Sequence, residues 1–165
     1  MNLRKTALAI LAAPIAACSS LGTSSNNSSG AEAPSAPATT VSTEQSLGEL
    51  AEAQIPEKAC GMILWTLDAQ RPSPVFRYIS GEEANIVIGQ TPVKLFRTEF
   101  NGTSGFGVFE SQSFVSEDGV RVEVLSRFGV GFDGGSYLER GLIKVHAPDG
   151  WSIVAPAAGI AGCRT

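Results

Sequence analysis

The stretch EDGVRVEVLSRF, residues 117–128, decides the fold. Glu117-Asp118-Gly119 is a turn signal, because Asp-Gly supplies the positive φ that a tight hairpin needs. After it the residues alternate, with Val120, Val122 and Val124 on one side and Arg121, Glu123 and Arg127 on the other. A period of two with β-branched residues on one side marks a strand with one buried and one wet face.

The same texture continues in both directions. Towards the C-terminus lie the glycine-rich FGVGFDGGS (128–136), YLERGLIKVH (137–146), the turn Pro148-Asp149-Gly150 and WSIVAP (151–156). Towards the N-terminus lies GFGVFESQSF (105–114), preceded by Asn101-Gly102, a strong hairpin signal. In PVKLFRTEF (92–100), Val93, Leu95 and Arg97 share one side, and Lys94, Phe96, Thr98 and Phe100 the other. ANIVIG (84–89) and VFRYIS (75–80) flank Gly81-Glu82-Glu83. GMILWTLD (61–68) is apolar on both faces, which suggests an interior strand, and Arg71-Pro-Ser-Pro74 ends it.

These runs make about eight strands at close spacing with no helical period between them. A parallel sheet needs crossover helices, so the expected fold is all-β, a small antiparallel meander forming a barrel or a sandwich. The β-domain spans 60–165, enough chain for one core. In a meander, turns alternate between the two ends of the sheet. The 81–83, 101–102 and 129–136 connections should therefore share one end, and 118–119 and 148–150 the other.

The first residues have a different texture. Arg4-Lys5 precedes the apolar run Leu8–Ala17, broken only by Pro14. A basic segment, a short apolar run and small residues describe a secretory signal over 1–17. The run is too short for a membrane-spanning helix, which needs ~20 apolar residues. Residues 19–43, SSLGTSSNNSSGAEAPSAPATTVST, contain only Leu21 and Val41 as large aliphatics, so a disordered tether is expected over 18–43. Residues 44–59 are expected to form a short helix and linker, with Thr43 or Ser42 as its cap and Leu47, Leu50 and Ala51 on one face. Gly48 opposes that helix, and more tether is the competing reading.

Ile15-Ala16-Ala17-Cys18 resembles the lipobox of bacterial lipoproteins. The resemblance implies a diacylglyceryl group on Cys18, cleavage after Ala17 and a palmitate-type acyl chain on the new amino group. It also implies a cell-envelope location, and Ser19, in place of the aspartate that retains some lipoproteins, favours the outer membrane facing the periplasm. Two or more acyl chains anchor stably, at ~0.8 kcal/mol per buried methylene. Cys60 and Cys163 then remain as an even pair in an exported chain, where a disulfide is the expected outcome.

Loss of Arg4 and Lys5 leaves ten basic residues against sixteen acidic ones, a charge of about −6. This opposes nucleic acid as a partner and opposes binding of anionic headgroups by the domain surface. Catalytic patterns are thin. His146 is the only histidine, at a strand end beside a turn, and no G-x-S-x-G elbow occurs. Glu82-Glu83 and Glu117-Asp118 lie in turns, where solvation explains them. Gly129–Gly135 lacks the Lys-Ser/Thr and helix of a phosphate loop, so a wide β-loop or a bulge is expected. No catalytic residue, metal or cofactor is expected.

In its lipobox, its size, a cysteine near the C-terminus and Ser104-Gly105 beside a hairpin turn, the chain resembles membrane-bound periplasmic lysozyme inhibitors. Those are lipoproteins with small antiparallel barrels that present a Ser-Gly-x-x-Tyr loop. Here Val108 stands where tyrosine is expected, and their later lysine-glycine segment has no counterpart. The leading expectation is a non-enzymatic binding or structural module of the envelope, anchored through Cys18, with an envelope protein or cell-wall component as partner. An inhibitor of a lytic enzyme such as lysozyme is the first alternative, and a carboxylate-dependent hydrolase the second. Ser104, Gly105, Phe106, Phe132 and Tyr137 are the candidate contact residues.

Overall fold

Strand after strand pairs with its neighbour in sequence, and the last meets the first. The computed structural model describes residues 46–67 and 71–165, so the signal segment, Cys18 and the tether lie outside the described residues. Among the described residues nine strands occur: β1 (Leu47–Gly48), β2 (Cys60–Thr66), β3 (Pro74–Ile79), β4 (Ala84–Ile88), β5 (Thr91–Gly105), β6 (Val108–Val115), β7 (Arg121–Phe132), β8 (Gly135–His146) and β9 (Ser152–Cys163). The pairings β2 to β9 are all antiparallel and sequential, and β2 also pairs with β9 from Cys60↔Cys163 to Thr66↔Ala157. An eight-stranded barrel is therefore closed. A sandwich would leave four unpaired strand edges; closure gives each of the eight strands a partner on both sides.

Eight strands enclose a space just wide enough for side chains to fill. Met62, Leu64, Phe76, Tyr78, Ile86, Leu95, Val108, Phe114, Val122, Val124, Ile143 and Val145 fill it. Phe114 sits edge-on to both Phe76 and Tyr78, with ring centres 5.3 and 5.4 Å away. The outer wall carries the ion pairs Lys94–Glu83 and Lys144–Glu123. An apolar inside with a charged outside is the reverse of a lipid-facing barrel.

Four expectations are corrected. No helix forms over 46–59; Leu47–Gly48 is a strand instead. β3 pairs with β4 only as far as Ile86, so Val87 and Ile88 would keep an unpaired edge, and Leu47↔Ile88 and Gly48↔Val87 cover it. Second, Asn101-Gly102 is not the hairpin turn. It sits in a bulge of β5, between Asn101 and Ser104, and the turn is Phe106-Gly107, with φ of 57° and 75°. Two consecutive residues at positive φ match the twist of the flanking strands, and Gly102, at φ 89°, serves the bulge.

Third, of the two readings of Gly129–Gly135 the bulge holds and the wide loop does not. β7 and β8 stay paired to Phe132↔Gly135, around a bulge between Phe128 and Gly131, and Asp133-Gly134 alone makes the turn. Fourth, the last strand does not stop at Pro156 but runs to Cys163, because β2 and β8 both need it as a partner. The 80–83, 106–107 and 133–134 turns share one end of the barrel, with Cys60 and Cys163. The 116–120 and 147–151 connections lie at the other.

Cys60 and Cys163 form a disulfide. The Cys163 N–H points away from Cys60 and donates to Gly134 O at 2.9 Å, so the two cysteines occupy a close, non-hydrogen-bonded position of the ladder.

Candidate functional site: an apolar groove on the outer wall

The apolar reading of both faces of GMILWTLD has a structural cause. β2 turns Met62 and Leu64 into the barrel and Ile63 and Trp65 outward. Outward Ile63 stands between Arg77 of β3 and Ile160 of β9. The chain entering β2 crosses this wall, and Ile55, Ile63 and Ile79 form a second buried cluster with Ala53, Ala59 and Trp65 around it. Arg164 clamps that crossing segment: its backbone exchanges hydrogen bonds with Lys58 and Ala59, and Nη1 donates to Gln54 Oε1 at 3.4 Å and to Ile55 O at 3.5 Å.

The cover is incomplete. Between the 53–55 segment and the β7–β8 turn a groove of about 430 Å³ remains, with Ile63, Trp65 and Ile160 on its apolar wall and Phe132 and Asp133 at its end. Phe132 reaches it because β7 and β8 run on past the bulge. Its ring lies over Gly135, where any Cβ would strike it, and Gly162 beside it has room for no side chain either. Tyr137, opposite Ile160, shares this outer face, and its ring centre is 5.2 Å from that of Phe132. Phe132 is 42% and Tyr137 52% exposed. Asp133 has no cationic partner among the described residues.

The five contact candidates therefore divide. Phe132 and Tyr137 come together on the outer wall. Ser104 and Gly105 end β5 opposite Phe109 and Val108, and Phe106 packs against the barrel core from the turn. None of these three lines the groove. The 106–107 tip does not stand free, for a Cβ on Gly107 would strike Ser80 Oγ. Trp65, Ile63, Ile160 and Asp133 were not among the sequence candidates. Their signal was present in the doubly apolar β2, but nothing local said that β9 and the 132–135 hairpin would lie beside it.

Elsewhere, Glu82 and Glu83 occupy the turn after β3 and Glu117 and Asp118 the turn after β6, so the two carboxylate pairs lie at opposite ends of the barrel and do not come together. His146 ends β8 opposite Ser152, exposed. Among the described residues no group of three His, Cys, Asp or Glu side chains is placed to hold a metal ion. Comparison with protein-family models, with curated protein sequences and with solved structures returns no match, so the reading of the site rests on its geometry alone.

Proposed function

We propose that the chain is a non-enzymatic binding module of the cell envelope, held on the periplasmic side of a membrane, the outer one in a two-membrane envelope, by lipid on Cys18. Its partner is a protein that seats apolar side chains in the groove beside Phe132 and Tyr137. The observation that carries this reading is a barrel whose interior is filled by its own side chains while an apolar groove with two adjacent exposed aromatics remains on its wall. A filled barrel offers a ligand its surface, and aromatic residues dominate interface energies.

The anchor and the groove are tested together by crosslinking in intact envelopes. Wild-type chain should carry lipid mass, partition into detergent and crosslink one partner through a photoreactive residue at Tyr137. Cys18→Ser should lose lipid and detergent partitioning. Wild-type and Cys18→Ser chains that partition alike would refute the anchor, and an unlabelled Tyr137 position would refute the groove.

Inhibition of a wall-lytic enzyme is the second reading, favoured by Ser104, which is exposed near the tip of the β5–β6 hairpin. Mixing the chain with lysozyme and measuring cell-wall lysis separates the two.

A further inference from the structure

An arginine faces inward at the end of the barrel that carries the 80–83 and 106–107 turns. β5 sends Leu95 into the core, and Arg97 follows on the same side, opposite Phe114. A bulge just after it brings Phe100 to the same side, opposite Gln112. The guanidinium carbon lies 5.0 Å from the ring centre of Tyr78, 4.8 Å from that of Phe100 and 5.3 Å from that of Phe109. Nη1 donates to Gln112 Oε1 and to Gly107 O, each at 2.9 Å, which uses both its hydrogens. Gln112 is itself 1% exposed and its amide rests on Met62 Sδ.

This cation is fixed but not neutralised. Five ion pairs form among the described residues, and none involves Arg97. Nη2 and Nε have no protein acceptor among the described residues. Rings and neutral acceptors hold a guanidinium in place without cancelling its charge, and partial burial strengthens its pull on an anion.

A cavity of about 540 Å³ opens at this point, lined by Tyr78, Gly81, Glu82, Glu83, Phe96 and Arg97. The Tyr78 hydroxyl accepts the Gly81 N–H at 3.2 Å and keeps its own hydrogen to give. A guanidinium edge beside a phenolic O–H is the donor set of a carboxylate site. The rim has the opposite sign: Glu83 is occupied by Lys94 at 2.9 Å, and Glu82 has no cationic partner among the described residues. Phe96, 48% exposed, adds an apolar wall.

We propose that this cavity binds a small zwitterion, a free amino acid or a short peptide, with its carboxylate on Arg97 and Tyr78 and its ammonium group towards Glu82. The site is separate from the outer-wall groove and does not depend on that reading. Acid at the rim disfavours inorganic phosphate and other multiply charged anions, which Arg97 alone would accept.

The test is calorimetric titration of the full-length chain in detergent micelles. The probes are phenylalanine, phenylalanine amide, N-acetyl-phenylalanine, dialanine and inorganic phosphate. Phenylalanine or dialanine should bind saturably, and the tighter of the two tells a free amino acid from a peptide. Removing the carboxylate, as the amide does, should weaken binding at least about tenfold, as expected for a lost charge-assisted pair. Arg97→Met, which keeps an unbranched stem among the rings, should abolish binding. Glu82→Gln, on an exposed turn, should weaken the zwitterions severalfold and leave N-acetyl-phenylalanine unchanged. If Arg97→Met does not fold, the Glu82→Gln variant and the probe series decide. The proposal is overturned if neither zwitterion saturates wild-type chain, if phosphate binds as tightly, or if Glu82→Gln changes nothing.

Discussion

Cys60 and Cys163 stand directly opposite each other on the two strands that meet at the seam of the barrel, with Cα atoms 3.9 Å apart and 103 residues of chain between them. Their bond therefore ties the start of the meander to its end, at the one pairing that requires the whole chain to have come round.

Loss of that bond should act mainly on the unfolded chain, which gains freedom when the seam is no longer covalent. Replacing both cysteines by serine should lower the unfolding free energy by ~2–5 kcal/mol. The seven-residue β2–β9 ladder remains, so the variant should still fold at low temperature. Urea unfolding followed by circular dichroism measures the loss. A count of two free thiols on the denatured, lipid-free domain 60–165, which leaves out Cys18, would contradict the bond itself.

Phe114 is fully buried at the meeting of two edge-on ring contacts, from Phe76 and Tyr78. Phe114→Ala should cost ~3–5 kcal/mol, because it removes a large buried side chain and leaves a cavity that a closed barrel cannot collapse around. Val154→Ala, at a residue 60% exposed on the outer wall, should cost within about 0.5 kcal/mol. Equal losses in parallel denaturant melts would mean that the core lies elsewhere.

Gly107 and Gly150 both adopt positive φ, 75° and 96°, but their surroundings differ. A Cβ at Gly150 meets nothing within 4 Å, whereas one at Gly107 strikes Ser80 Oγ. Gly150→Ala should therefore cost only the left-handed backbone term, ~1–2 kcal/mol. Gly107→Ala should cost clearly more and should loosen the tip whose carbonyl accepts from Arg97. Thermal melts of the two variants side by side give the ordering, and the reverse order would contradict the packing of the tip on Ser80.

Phe132 is exposed, so truncating it should spare the fold while weakening partner capture. Phe132→Ala is expected to change stability by under about 1 kcal/mol, against a binding loss of ~2 kcal/mol or more for an interface anchor. Asp118→Ala and Asp149→Ala, at the far end of the barrel, should leave capture unchanged. Matched pull-downs and melts check these outcomes. Unfolding by Phe132→Ala would instead assign the ring to the core.

The sequence by itself determined the class of fold, the strand count of the meander and the pairing of the cysteines. Alternation such as Val120-Arg121-Val122-Glu123-Val124 is local, since side chains on a strand point to opposite faces whatever the strand pairs with. The parity of turns follows from connectivity alone, so it survived the displacement of the 101–102 turn to 106–107. What only the tertiary structure decided was everything that depends on a distant neighbour. Barrel closure rests on Cys60–Thr66 meeting Ala157–Cys163, and no local signal separates a closed meander from a sandwich. Leu47–Gly48 became a strand because the exposed edge of Val87–Ile88 needed a partner, a demand stronger than the weak helical spacing around Gly48. The positive φ of Gly102 fits a bulge as well as a turn, and pairing on either side chose the bulge. The groove and the Arg97 cavity were hidden for the same reason. Each gathers residues from strands or turns far apart in the chain, and burial across such distances is settled by packing, not by the order of residues along one strand.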